Sequence, residues 1–211
     1  RGVQCMQLIQ DAFAKAEEPE IKAMQIAPFD QLSSLDREIL VEKHLTSPNH
    51  AASASPFRGL AVNKEGSLAV MINEEDHLRI QCLLPGLQLE QSYNLAGQVD
   101  DSLEKHLDYA FDERRGYLTS CPTNVGTGMR ASVMLHLPAM VMAGQISLIF
   151  QNISQLGMTV RGLYGEGTEI IGNLYQLSNQ VTMGLTEDDI INNLSIITKQ
   201  MIEQERLLRQ K

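Results

Sequence analysis

The chain has 211 residues, 43% hydrophobic and 20% charged, with a formal net charge of −9. That length suits one domain with at most an appendage; no apolar run approaches the roughly 18 residues of a membrane span, and the acidic balance argues against general phosphate-neutralising contacts to nucleic acid. Three cysteines, Cys5, Cys82 and Cys121, at no CxxC or CxxH spacing, indicate neither a disulfide framework nor a zinc site, so a soluble protein of a reducing, cytoplasmic compartment is expected.

The chain opens on Arg1 rather than Met, which suggests a fragment or a processed product. Val3, Met6, Ile9 and Phe13 fall at helical spacing and predict a first helix ending before Glu17-Glu18-Pro19. Ser33 or Ser34 is placed to cap a second helix, with Asp36 in its first turn, ending near Glu42-Lys43-His44-Leu45. The Ala/Ser-rich stretch from Asn49 to Pro56 reads as a surface loop. Leu60–Asn63 and Leu68–Asn73 are β-prone and separated by Lys64-Glu65-Gly66-Ser67, a hairpin in which Gly66 supplies the turn. A further β-like run, Ile80–Leu84, follows the acidic segment Asn73–Arg79. Leu95, Val99, Leu103 and Leu107 mark an amphipathic helix. Beyond it come a strand at Arg130–His136, a helix from Pro138 to about Leu156, and strands at Met158–Gly162 and Leu174–Leu177. Thr186, with Asp189 three residues on, resembles a capping box opening the last helix. Strands joined by hairpins and single helices predict an α+β domain with a mainly antiparallel β-sheet flanked by helices.

Chemistry concentrates at three places. Cys121-Pro122-Thr123-Asn124-Val125-Gly126-Thr127-Gly128-Met129-Arg130 packs a thiol and a fixed positive charge into a loop whose glycines permit sharp bends and close backbone approach; a structural turn around a buried cysteine is the alternative reading. Three consecutive acids with Arg79, and Arg161 with Glu166, share the pattern. Any one of them alone reads as a surface ion pair. Together, three arginines on strand ends and Gly-rich loops suit a phosphate clamp, because guanidinium groups match phosphate oxygens bidentately and stay charged. His77 and His136 read as structural histidines, and Cys82 as a core residue.

These segments carry a resemblance. Asn73-Glu74-Glu75-Asp76-His77-Leu78-Arg79 and Cys121–Arg130 look like the two signature segments of the ATP:guanido phosphotransferases, and Arg161-Gly162-Leu163-Tyr164-Gly165-Glu166 resembles the family's later Arg-Gly and catalytic-Glu loop. Glu42-Lys43-His44-Leu45, Ala110-Phe111-Asp112-Glu113-Arg114 and Arg130-Ala131-Ser132-Val133-Met134 are further similar to the bacterial branch that phosphorylates arginine side chains in proteins, and Met134 stands where creatine and arginine kinases typically carry histidine. The resemblance runs from about Ser34 to Lys211, giving residues 34–211 as the catalytic core and 1–33 as an N-terminal helix and connection of the same domain.

The resemblance implies a fold of the glutamine synthetase/guanido kinase type and an ATP-dependent kinase with Mg²⁺ held mainly through the nucleotide. Glu75, Cys121 and Glu166 are its implied catalytic residues, clamping the guanidinium and taking its proton. Arg79, Arg130 and Arg161 are implied phosphate ligands, and His44, Ala131, Ser132, Val133, Met134, Gly162, Leu163, Tyr164, Gly165 and Glu166 are implied to line the ATP site. Implied partners are protein substrates with exposed arginine, a zinc-binding activator protein and the Clp protease system in a bacterial stress response, with a homodimer in the full-length protein. The family's Ser-x-Arg-x-Arg segment does not occur in these 211 residues, nor does the branch's C-terminal helical domain. The alternatives are therefore a non-catalytic module that binds nucleotide or phosphoarginine, or a kinase for a small guanidino compound; a cysteine hydrolase built on Cys121 lacks a positioned base.

Overall fold

In the computed structural model, which describes residues 2–53, 55–162 and 171–210, the chain forms two units, Arg1–Tyr109 and Ala110–Lys211. The first contains helices α1 (Gly2–Lys15), α2 (Pro19–Lys22), α3 (Ser34–Glu42), α4 (Pro48–Ala51) and α5 (Leu89–Glu104), and strands β1 (Gln25–Pro28), β2 (Gly59–Val62), β3 (Leu68–Ile72) and β4 (Leu78–Cys82). Its strands form one antiparallel sheet in the order β1-β2-β3-β4. Alternation along β2 and β3 splits the sheet between two cores. Ala61, Val70 and Ile72 pack with Met6, Ile9 and Phe13 of α1 and Val99 and Leu103 of α5. Leu60, Ala69 and Met71 face the other way, against Phe29 and Leu45. Because both faces are covered, β3 reads as a continuous apolar run.

Local chemistry sets the element ends. Ser33 accepts from the Asp36 amide while the Asp36 carboxylate accepts from the Ser33 amide, a complete capping box on α3. Gly66, at φ +69°, turns the β2–β3 hairpin as expected. The 49–56 stretch departs from the surface loop read in the sequence. Pro48 opens the short helix α4, Ser47 caps it by accepting from the His50 amide, and His50 is fully buried. Its imidazole bonds the Thr46 hydroxyl at 3.0 Å and the Ile72 carbonyl at 3.0 Å, which makes burial tolerable. Strand β1 carried too short and too proline-marked a signal to stand out in the sequence.

The second unit contains β5 (Phe111–Asp112), β6 (Gly116–Tyr117), β7 (Ser132–His136), β8 (Met158–Arg161) and β9 (Leu174–Asn179), with α6 (Pro138–Met142), α7 (Ile146–Gln155) and α8 (Glu187–Arg209). β5 and β6 form a hairpin, and the three-stranded sheet has the order β7-β9-β8; every pairing is antiparallel among the described residues. The mixed helix and antiparallel-sheet class is the one expected. Leu135, Tyr175, Leu177 and Met158 point to one face and are buried, where α7 packs on β8 and α8 on β9 and α6. One helix from Pro138 to Leu156 does not form: Gly144 sits at φ +68° and breaks it into α6 and α7. Thr186 and Asp189 make the expected capping box on α8.

Candidate functional site

In the first unit the acidic segment closes as a tight loop between β3 and β4. The Asn73 amide donates to the His77 carbonyl at 3.0 Å, and Asn73 itself takes φ +56°. The Asn73 carboxamide donates to the Phe57 carbonyl at 2.6 Å and the Gly2 carbonyl at 3.3 Å. Glu74 is the pivot. It accepts from the Ser47 hydroxyl and the Glu75 amide, both at 2.8 Å, and lies 3.8 Å from the Arg79 guanidinium. Burial raises the Glu74 pKa, but the Glu75 amide, the Ser47 hydroxyl and the Arg79 charge outweigh it, so the carboxyl lies below its ordinary value. Glu75 is left exposed, as is Arg79 on the edge strand β4.

His44 ends the α3 segment at φ +55°, and its carbonyl accepts from the Gln81 side chain at 2.6 Å. Gln81 is two residues beyond Arg79 on β4, hence on the same face. The unit thus brings Arg79, Glu74 with Glu75, and the His44 backbone to the β4 edge. Cys82 is half-buried at the end of β4, where burial pushes its thiol up.

In the second unit the Cys121–Arg130 loop is held at several points. Cys121 is half-buried rather than buried, and its Sγ lies 3.0 Å from the Thr123 hydroxyl. Pro122–Asn124 makes a single 3₁₀ turn, and the Thr119 hydroxyl donates to the Cys121 carbonyl at 2.7 Å. Gly126 bridges Tyr117 through both backbone groups, Tyr117 N–H to Gly126 O at 2.8 Å and Gly126 N–H to Tyr117 O at 3.3 Å. A Cβ on Gly126 would collide with the Thr182 carbonyl, and Gly126 takes φ +115°. No side chain fits there. The Arg130 guanidinium reaches Asn124 Oδ1 at 3.4 Å.

Sheet register orders the remaining residues. Gln176 of β9 pairs with Met134 on one side and Arg161 on the other, so those two residues and Gln176 lie on one face. Ser132 shares that face and donates to the Ser178 hydroxyl at 3.0 Å. Val133 alternates to the opposite face, and Ala131 is fixed through its amide, which donates to Asn179 Oδ1 at 2.8 Å. Gly162 is buried at the end of β8. Leu163, Tyr164, Gly165 and Glu166 lie outside the described residues.

Two positioning residues escaped the sequence reading. Asn179 is buried, accepts from the Ala131 amide and donates to the Met129 and Val181 carbonyls at 3.1 Å each, so it grips the backbone on both sides of Arg130. Thr182 is buried, and its hydroxyl lies 2.9 Å from the Thr123 carbonyl and 2.8 Å from that of Val125. Its own carbonyl accepts from the Thr127 amide at 3.0 Å. Both act across some 50 residues of chain, with no local sequence signal to mark them.

Comparison with known proteins gives consistent results. A family model described as "ATP:guanido phosphotransferase, C-terminal catalytic domain" matches residues 4–208. A protein-arginine kinase of Syntrophomonas wolfei subsp. wolfei is 65% identical over 208 residues, 99% of this chain and 58% of that relative. One of Bacillus subtilis (strain 168) is 51% identical over 205 residues, 97% of this chain and 56% of that relative. The chain spans just over half the length of these curated relatives. Among solved structures, the duplicated taurocyamine kinase of Schistosoma mansoni with bound transition-state-analog components superposes with a TM-score of 0.85 at 30% identity, covering 99% of this chain and 30% of that one. Lombricine kinase shares the fold, with a TM-score of 0.82 at 24% identity over 98% of this chain and 59% of that one.

Proposed function

Because this chain belongs to the ATP:guanido phosphotransferase family, as its C-terminal catalytic domain, we propose that it transfers the γ-phosphoryl group of Mg-ATP to a guanidinium nitrogen of arginine side chains in proteins. The observation that carries the choice of substrate is the 65% identity to a protein-arginine kinase over nearly the whole chain.

In this reading Arg79, Arg130 and Arg161 bind nucleotide phosphates, for which planar, permanently charged groups are suited. Mg²⁺ would be held through those phosphates and would supply charge neutralisation there; the chain's own contribution is the arginines, whose donors fit phosphate oxygens rather than a bare cation. Ser132 and Met134, sharing a face with Arg161, lie along the nucleotide, with His44, Ala131, Gly162, Leu163, Tyr164 and Gly165 completing its surroundings and Val133, whose side chain is on the opposite face, contributing backbone alone. Glu75 and Glu166 hold the guanidinium and accept its proton, and Cys121 adds a negative contact. Such chemistry depends on positioning and charge complementarity more than on covalent participation, and the pinned backbone at Gly126, Asn179 and Thr182 supplies that rigidity. The reading extends to a cytoplasmic protein, a homodimer in the full-length form, a zinc-binding activator and the Clp protease system as partners.

The test is phosphotransfer by the full-length protein to an arginine-containing protein, with phosphoarginine read by ³¹P NMR. Glu75→Gln and Cys121→Ala each lower the rate by about 10² or more with an unchanged far-UV spectrum. Near-normal rates in both variants sink the assignment, and free arginine outcompeting protein acceptors moves it to a small guanidino substrate.

A further inference from the structure

One cavity of the second unit is not used by the chemistry above. The β5–β6 hairpin, the Gly126–Thr127 backbone and the segment entering α8 border an open cleft of about 260 Å³, lined by Phe111, Arg114, Arg115, Tyr117, Thr127 and Glu187 among others. This is below the roughly 300–1,000 Å³ of small-molecule sites and too small for a nucleotide, but it has room for one side chain. Two arginines and one glutamate belong to the lining, an excess of one positive charge within it on a chain whose net charge is −9. Among the described residues neither arginine is joined to a carboxylate in an ion pair. The nearby Asp112 carboxylate is occupied by the hairpin turn itself, where its Oδ1 accepts from the Arg114 and Arg115 amides at 3.0 Å each. That turn fixes the backbone from which both arginines project.

The rest of the wall mixes threonine hydroxyls and glycine backbone with the apolar side chains of Phe111, Tyr117, Met183 and Leu185. Phe111 and Tyr117 meet edge to face, with ring centroids 5.2 Å apart, and offer methylene-sized contact surface beside the charges. The floor is rigid, because a Cβ on Gly116 would strike the Gly126 carbonyl and Tyr117 and Gly126 exchange backbone hydrogen bonds.

We propose that this cavity is a substrate subsite that takes the carboxylate of an aspartate or glutamate in the polypeptide being phosphorylated, with Arg114 and Arg115 as its ligands and Phe111 and Tyr117 against its methylenes. The proposal rests on the protein-substrate reading above. Two guanidinium forks match a carboxylate bidentately, and the attachment of the floor to Gly126 places an occupied subsite in direct backbone continuity with the loop that carries Cys121 and Arg130.

The test uses the full-length protein and peptides with one arginine, in which a glutamate is walked through the flanking positions and compared with glutamine. At the best position the wild type shows a KM about 10-fold lower for the glutamate peptide, as expected for one charge-assisted pair. Arg114→Ala/Arg115→Ala abolishes that ratio and leaves kcat on the glutamine peptide unchanged; Arg114→Glu/Arg115→Glu inverts it in favour of glutamine. No preference in the wild type at any position, or a preference that survives in the alanine pair, overturns the proposal. A fluorescent peptide with lysine in place of the target arginine gives the same glutamate-to-glutamine ratio by anisotropy without phosphotransfer. If phosphotransfer is absent but this binding ratio is present and lost in the alanine pair, the subsite stands and the kinase reading falls. Complete displacement of the glutamate peptide by inorganic phosphate at cellular concentration identifies a free-anion site and also overturns the proposal.

Discussion

Thr182→Val tests whether the Cys121–Arg130 loop is held by a single hydroxyl. Valine keeps the shape of threonine and leaves the Thr182 carbonyl free to accept from the Thr127 amide. What it removes is the donor shared between the Thr123 carbonyl at 2.9 Å and the Val125 carbonyl at 2.8 Å. Leaving a buried polar group without its partner costs about 1–3 kcal/mol. Thr123 is exposed and Val125 half-buried, so water reaches part of what is lost and the lower half of that range, about 1–2 kcal/mol, is expected. That is a factor of roughly 5–30 in the folded-to-unfolded ratio. The assay is denaturant unfolding, with a lower midpoint at unchanged slope, paired with kcat/KM for phosphotransfer, which falls because the loop is no longer pre-positioned. Thr182→Ser keeps the hydroxyl and most of both values. A valine variant as stable and active as the wild type, or a serine variant as damaged as the valine one, refutes the reasoning.

Two further outcomes follow from titrating groups in the first unit. Burial pushes the His50 pKa down, against the opposing bond to the Ile72 carbonyl, so as pH falls below the unfolded value of about 6.5 the unfolded chain binds a proton the folded one refuses and stability drops. His50→Gln flattens the stability profile between about pH 5 and 7; an unchanged slope refutes the assignment. The Glu18 carboxyl lies at about 2, held there first by the Ser102 hydroxyl at 2.5 Å, then by its own amide and Lys105. Its contribution is full above the ordinary 4.5 and lost as pH falls through about 2, and Ser102→Ala raises the NMR-titrated value towards 4.5; no movement shows that Ser102 is not the cause.

What the sequence made legible was local. Both capping boxes, Ser33 with Asp36 and Thr186 with Asp189, are four-residue patterns whose partners are close in the chain, and the Gly66 hairpin is of the same kind. The family was legible because its motifs are long and contiguous. Elements decided by distant contacts were not. The Pro48–Ala51 helix is worth forming because His50 finds Ile72, 22 residues away, and Ala/Ser-rich composition alone read the stretch from Asn49 as loop. Gly144 in an apolar stretch is compatible with a continuous helix until its positive φ is seen. Of the site, the β7–β9–β8 register placed Met134 and Arg161 on one face, a relation set by Gln176, which no motif contains. Thr182 and Asn179 act through backbone groups of a loop more than 45 residues upstream, and nothing in their own neighbourhood announces it.

The orientation of the Asn179 amide is dictated by its surroundings, since its oxygen faces a donor and its nitrogen faces the carbonyls of Met129 and Val181. Hydrolysis of that amide to a carboxylate would exchange one nitrogen for an oxygen and set negative charge against two carbonyl oxygens that now attract it. The backbone on either side of Arg130 would lose its grip without any change of shape in the side chain. One buried nitrogen thus decides whether the stretch from Met129 to Ala131 keeps its place.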